Sequence, residues 1–306
     1  MRLRIVALGT TQTLAACCDA WRRHHDIVGI VSMPKESRPD NSCDLAPYAA
    51  SVGASYFEFL DLNTAAARDA VAALRPDVVF SMWPKLLGEA TIALARLGTI
   101  GTHSTELPAN RGRHPLHWML ALGLQRGAVS FFKIDAGVDT GDVLLQLPFT
   151  LDAHATIADA WAAMERGVTE GCAILARRLA DSAVLAGVPQ DHAQANTWRK
   201  RTVHDTIIDF RMSIGAIDRL VRSYSTPFPG AKILYRDTLV PIERVEAATG
   251  MGKPNLEPGR IIAKESGALI VKADDGAVRL IPRDPAALAL FPDQGSILPP
   301  SGYRIP

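Results

Sequence analysis

LRIVALGTTQTLAACCDAWRRHHDIVGIVS, residues 3–32, decides the fold class. An apolar run at 3–8 is followed by a Gly-Thr-Thr break, then by apolar residues at helical spacing through Trp21, then by a second apolar run at 27–32. Short apolar runs bounded by breaks read as buried strands, and the segment between them as a crossover helix. The pattern continues. Strands are expected at 55–57, 78–82, 99–102 and 129–134, helices at 64–74 and 86–97, and a loop at 34–47. Strands alternating with helices imply an open, mostly parallel, Rossmann-like α/β sheet, with ligands at the carboxyl ends of its strands. On that rule the residues just after Ile100 and Ile134 are the ones to inspect.

A long Ala-rich amphipathic helix at 156–185 closes this region, and 187–197, with its Gly, Pro, His and Gln, reads as a linker. A helix at 214–224 follows. Apolar pieces at 232–235, 239–245, 260–263, 268–273 and 278–281, separated by turns such as Asp274-Asp275-Gly276, predict a smaller β-rich, barrel-like domain. The expected division is a catalytic domain at 1–190 and a C-terminal domain at 198–306.

Composition narrows the classes. Of 306 residues, 48% are hydrophobic, enough for two cores, and 33 Lys plus Arg against 32 Asp plus Glu leave a net charge of +1, without the basic excess a long polyanion would demand. The four cysteines include no C-x-x-C pair, no apolar stretch approaches about 20 residues, and the N-terminus carries no readable signal peptide. A cytoplasmic chain without a membrane span is the expectation. His114 and His117 are three apart but lack H-E-x-x-H spacing and a third ligand, and the aspartates near 135–142 lack a calcium-loop spacing, so no metal site is expected. Gly9 follows a strand, but without G-x-G-x-x-G a dinucleotide site is unsupported.

Two segments carry candidate chemistry. In GTHSTELPANRGRHPLHW, residues 101–118, His103 stands at a strand's carboxyl end, where a general base faces a cleft, and Arg111 and Arg113 flank Gly112, an arrangement suited to an anion. In KIDAGVDTGDVLLQ, residues 133–146, Asp135, Asp139 and Asp142 are interleaved with Gly137 and Gly141, whose freedom brings backbone close to a flat ligand. An exposed loop around the arginines and a plain acidic turn around the aspartates are the ordinary alternatives.

Together these segments resemble the 10-formyltetrahydrofolate-dependent formyltransferase family: N-x-H, then L-P-x-x-R-G-x-x-P-x-x-W, then D-x-G-x-D-T-G-D about 30 residues on. His103, Leu107-Pro108, Asn110-Arg111-Gly112, Pro115 and Trp118 match, as do Asp135, Gly137 and the run Asp139-Thr140-Gly141-Asp142; WRKRTVHDTIIDF at 198–210 and TPFPGA at 226–231 extend the likeness. The resemblance implies transfer of a formyl group from 10-formyltetrahydrofolate, as co-substrate, to an amine. It gives His103 and Asp139 the places of the family's catalytic histidine and aspartate, and Gly101 that of its asparagine, which is missing here. It also implies a folate site at Met82, Trp83, Leu86, Leu87, Asp135, Gly137, Val138 and Asp142, and acceptor contacts at Thr105, Asn110, Arg111, Gly112 and Arg113.

Replacement of the missing oxyanion donor by Thr102, Ser104, Thr105 or a backbone amide stays open. The loop resembles that of the sugar N-formyltransferases, which favours a nucleotide-linked amino sugar as acceptor, with methionyl-tRNA the alternative and nucleic acid disfavoured by the balanced charge. A folate-binding regulator or a formyltetrahydrofolate hydrolase is the reading from another class. The oligomeric state is left open, a homodimer among the options.

Overall fold

The computed structural model describes residues 2–39 and 41–299. Its elements run β1 Arg4–Leu8, α1 Gln12–Arg22, β2 Asp26–Ser32, α2 Ala46–Val52, β3 Ser55–Glu58, α3 Ala65–Ala73, β4 Val78–Ser81, α4 Glu89–Ile92, β5 Gly98–His103, β6 Arg111–Gly112, α5 Pro115–Leu122, β7 Arg126–Lys133, β8 Val143–Thr150, α6 Ile157–Ser182, β9 Thr197–Trp198, α7 Ile214–Ser223, β10 Ala231–Tyr235, β11 Thr238–Ala247, β12 Ile261–Glu265, β13 Ala268–Ala273 and β14 Gly276–Pro282.

The chain divides into two compact units. One holds Met1–Gly112, Gly127–Phe149 and Ala163–Trp198; the other holds Arg113–Arg126, Thr150–Ala162 and Arg199–Pro306. Where the sequence suggests one cut near residue 190, two inner segments, one of them carrying α5, belong with the C-terminal part.

The first unit is built on a seven-stranded sheet ordered β3-β2-β1-β4-β5-β7-β8. Strands β1 to β5 pair in parallel, as their apolar runs and crossover helices require. One core packs Val6, Leu8, Val31 and Val79 against Leu62, Val71, Trp83 and Leu87. Local chemistry sets the boundaries: the Thr64 hydroxyl accepts from Ala67 N to start α3, and Gly53, at φ +70°, ends α2.

Beside α2, α5, β6 and β9, which are not among the expected elements, three features depart from expectation. Strand β7 pairs antiparallel with β5, Ile100 opposite Lys133 and His103 opposite Ser130. The helix between them, α5, belongs to the second unit and is not a crossover, so the chain re-enters the sheet from the end it left. The helix expected over 86–97 shrinks to Glu89–Ile92, because Asn63 pins the preceding loop by accepting from Gly88 N (2.6 Å) and donating to Leu86 O (3.2 Å). Finally, β8 adds a strand to those expected; VLLQLPFT has neither strict alternation nor a turn signal before it other than the glycine of the preceding motif.

In the second unit, five antiparallel strands follow the order β10-β11-β14-β13-β12. Ile217, Leu220 and Val221 of α7 pack into the core of this sheet with Ile233, Ile242, Val271 and Leu280. Among the described residues, no helix is long and apolar enough to cross a membrane.

Candidate active site

His103 is the last residue of β5 and only 7% exposed. Its Nε2 lies 2.8 Å from the Asn110 carbonyl oxygen. A carbonyl only accepts, so Nε2 carries the proton and Nδ1 is the nitrogen left to exchange one. Asp139 Oδ2 stands 3.5 Å from Nδ1, longer than a charge-assisted hydrogen bond, and accepts from Gly112 N at 2.9 Å. The arrangement can hold an imidazolium: one N–H on a carbonyl, the other facing a carboxylate.

Bringing Asp139 there requires a fold-back. Because β7 is antiparallel to β5, its end lies beside the start of β5, with Ile134 N bonded to Thr99 O (2.8 Å). Four extended residues, about 13 Å, separate Thr99 from His103. The 134–142 loop recrosses that distance in a tight turn. Asp135 Oδ1 accepts from Gly137 N (3.0 Å) and from Thr140 Oγ1 (2.6 Å). A Cβ on Gly141 would sit 1.9 Å from Lys133 O, so only glycine fits. Asp139 itself takes a left-handed φ of +55°. Asp135 is therefore engaged in bracing its own loop, where the sequence suggests a folate contact.

Gly101 faces apolar side chains. A Cβ there would meet Ile134 Cγ1 at 2.9 Å and Phe132 Cζ at 3.0 Å. These two groups fill the place where an asparagine side chain would begin. Of the candidate donors, Thr102 points to the opposite face of β5 from His103, and Thr105 is 2% exposed with its hydroxyl 2.9 Å from Ala109 O. Ser104 is the half-buried hydroxyl that stays next to the histidine.

The acceptor loop also differs from expectation. Arg111 is 7% exposed, and its Nε and Nη2 donate to Gln190 Oε1 at 3.2 and 2.7 Å. Burial and those bonds turn its guanidinium inward, away from an external anion. Asn110 gives its amide oxygen to Asn196 Nδ2 (2.9 Å), and Asn196 Oδ1 accepts from Asn110 N (2.7 Å). Thr105, Asn110 and Arg111 thus shape the loop from within. Gly112, at φ +103°, packs so closely on β9 that a Cβ would lie 2.3 Å from Trp198 O. Arg113 is exposed and belongs to the second unit. Gln190 and Asn196 lie in the segment that reads as a linker; their only signal is polar amides in a stretch too short and irregular for an element.

On the folate side, Trp83 and Leu87 pack into the core of the sheet at 9% exposed, while Leu86 and Val138 leave 70% and 44% of their surface open and Met82 is half-buried. Asp142 is half-buried and 3.4 Å from Lys133 Nζ. Gly137 lies exposed, its would-be Cβ 2.0 Å from Thr140 Oγ1. Open Val138 beside Gly137, and open Leu86, are apolar surface of the kind the face of a flat heterocycle covers.

His117 belongs to packing. Its Nδ1 donates to Ser223 O (2.6 Å), its ring lies 4.8 and 4.6 Å from those of Tyr224 and Phe228, and burial pushes its pKa down to about 4.

A family model described as formyl transferase matches residues 1–174, and one described as formyl transferase, C-terminal domain, matches residues 200–285. The methionyl-tRNA formyltransferase of Anaeromyxobacter dehalogenans is 28% identical over 292 residues, 92% of this chain and 91% of that protein. Among solved structures, the N-formyltransferase from Helicobacter canadensis, in complex with folinic acid and dTDP-3-aminofucose, superimposes with a TM-score of 0.66 at 13% identity, over 92% of this chain and 100% of that one. HypX from Aquifex aeolicus, in complex with tetrahydrofolic acid, gives 0.64 at 17% identity over 92% of this chain, which spans 44% of HypX. At such identities the structural likeness is one of fold.

Proposed function

This chain belongs to the formyl transferase family, and from that premise we propose that it moves the formyl group of 10-formyltetrahydrofolate onto the amine of a nucleotide-linked sugar, with His103 and Asp139 as its acid–base pair. The observation that carries the chemistry is the His103 tautomer, fixed by Asn110 O with Nδ1 turned to Asp139. The folate supplies an activated formyl carbon. His103 accepts at Nδ1 the proton that the attacking amine sheds and returns one to the departing folate nitrogen, so the proton count closes. Asp139 stabilises the imidazolium between the two transfers. Charge developing on the formyl oxygen needs a donor, and with Gly101 walled in by Ile134 and Phe132 the role passes to the Ser104 hydroxyl or to a backbone amide of the same turn. Leu86 and Val138 offer the pterin its apolar contacts, with Met82, Gly137 and Asp142 alongside.

Charge pairing bears on the acceptor: among the described residues of the second unit, exposed Lys200 and Lys253 stand without a carboxylate partner, but six of its arginines do not. In the second unit Arg199, Arg211, Arg222, Arg260, Arg279 and Arg283 each form an ion pair with a carboxylate. A surface that neutralises a phosphate backbone needs cations not already matched by carboxylates. The name of the curated relatives favours methionyl-tRNA as the second reading. Incubation with 10-formyltetrahydrofolate and, separately, a panel of nucleotide-linked amino sugars and charged initiator tRNA decides between them by the mass of the product. Formylation of tRNA alone overturns the sugar acceptor, and formate release without any amine overturns transfer altogether.

A further inference from the structure

Gln190 lies between the stretches matched by the two family models, 1–174 and 200–285, in what reads from sequence as a linker. In the structure it is 8% exposed and fully engaged. Its Nε2 donates to the carbonyl oxygens of Asp139 (2.9 Å) and Gly141 (2.7 Å), and its Oε1 accepts from Arg111 Nε and Nη2. The amide has one orientation: carbonyls require the NH2 and a guanidinium requires the oxygen. One side chain therefore ties β6 to the backbone of the catalytic loop.

We propose that Gln190 is a positioning residue for the transfer step, holding the backbone at Asp139 so that its carboxylate faces His103 Nδ1. Asp139 adopts φ +55°, a conformation that is disfavoured for a non-glycine residue. Asp135 braces the loop through Gly137 N and the Thr140 hydroxyl, neither of which holds the backbone of Asp139 itself. The Asp139 and Gly141 carbonyls hang on Gln190, and the Asp139 carboxylate on Gly112 N. Arg111 holds the Gln190 oxygen with two donors, so the brace is itself anchored.

The inference rests on the acid–base reading of His103 and Asp139, and the test separates the two. Gln190→Glu keeps an acceptor for Arg111 but sets an oxygen against two carbonyl oxygens; Gln190→Met keeps the length and removes both sets of bonds. Rates are normalised to the folded fraction from near-UV circular dichroism, so that lost fold does not count as lost positioning. The expected result for both is a kcat lower by on the order of 10- to 100-fold, with KM for donor and acceptor within about threefold of the parent. Parent kcat per folded molecule, or an effect confined to KM, overturns the brace. His103→Ala in the same assay guards the premise. If it stays active, the acid–base reading fails; if it is inactive while the Gln190 variants are not, only the brace does.

Discussion

At Gly101 the sheet has no space for a side chain, and that one position separates two accounts of a missing oxyanion donor. With Ile134 Cγ1 2.9 Å and Phe132 Cζ 3.0 Å from an ideal Cβ, Gly101→Asn is expected to cost about 1–3 kcal/mol of stability and to lower kcat. The cost should shrink by about 1 kcal/mol or more when Ile134→Ala supplies room, a coupling read from a double-mutant cycle of denaturant midpoints. A rise in kcat for Gly101→Asn alone would show that a donor, and not space, is what the site lacks. Asp139→Asn tests the neighbouring pair. One oxygen, Oδ2, both accepts from Gly112 N and faces Nδ1, so asparagine either keeps its oxygen there, leaving a neutral amide beside the imidazolium, or turns its NH2 there and loses the Gly112 bond. A loss in kcat on the order of 100-fold or more with little change in KM is expected from steady-state kinetics. An effect on KM alone would make Asp139 a binding group.

The two-residue strands β6 and β9 do work that belongs to elements and not to single side chains. Their parallel pairing, Arg111 with Thr197 and Gly112 with Trp198, carries the Gly112 amide to Asp139 and Arg111 to Gln190. Gly112→Ala puts a Cβ 2.3 Å from Trp198 O at φ +103°. It should cost about 1–3 kcal/mol and depress kcat together, measured by melting and by initial rates. If stability falls while kcat per folded molecule is kept, the strand pair does not support the site. Helix α5 packs on α7, with His117 turned onto Ser223 O. Since its folded pKa is about 4 and its unfolded value 6.5, only the unfolded chain binds this proton between those values. Stability is therefore complete above pH 6.5 and drains as pH falls towards 4, by on the order of 3 kcal/mol from this group. His25, also buried and pushed down, acts in the same direction. His117→Asn, whose NH2 can still serve Ser223 O, should flatten the slope in urea titrations run from pH 7 to 4; an unchanged slope would assign the acid loss elsewhere.

At the scale of the molecule the chain is interleaved: a cut after Trp198 removes the partners of Arg113–Arg126 and Thr150–Ala162. Leu116, His117, Met119 and Leu120 of α5 are buried, and α5 packs on α7, which a fragment of residues 1–198 lacks. The fragment is expected to aggregate or to melt without a sharp transition, as seen by light scattering and calorimetry. A soluble, cooperative fragment would mean that the N-terminal part covers α5 by itself. The expected salt response follows from charge on the same scale: acceptor turnover should vary little between low and physiological salt if the acceptor is small, whereas a tRNA acceptor should lose affinity steeply.

Much of this is legible along the chain. Apolar periodicity marks the parallel strands β1 to β5 and the β-rich tail, since burial imposes a local repeat on each element, and the spaced motifs point to His103 and Asp139 because chemistry constrains residue type directly. What tertiary structure alone decided were the relations that no local pattern encodes. The direction of β7 depends on α5 joining the other unit, and the fold-back of the Asp139 loop follows from that direction. Arg111, which by sequence could have met an anion, is turned inward by Gln190 79 residues away. Gly101 is closed by a strand that passes 31 residues later. Periodicity reports which face of an element is buried; it carries no information on which distant group will lie against that face.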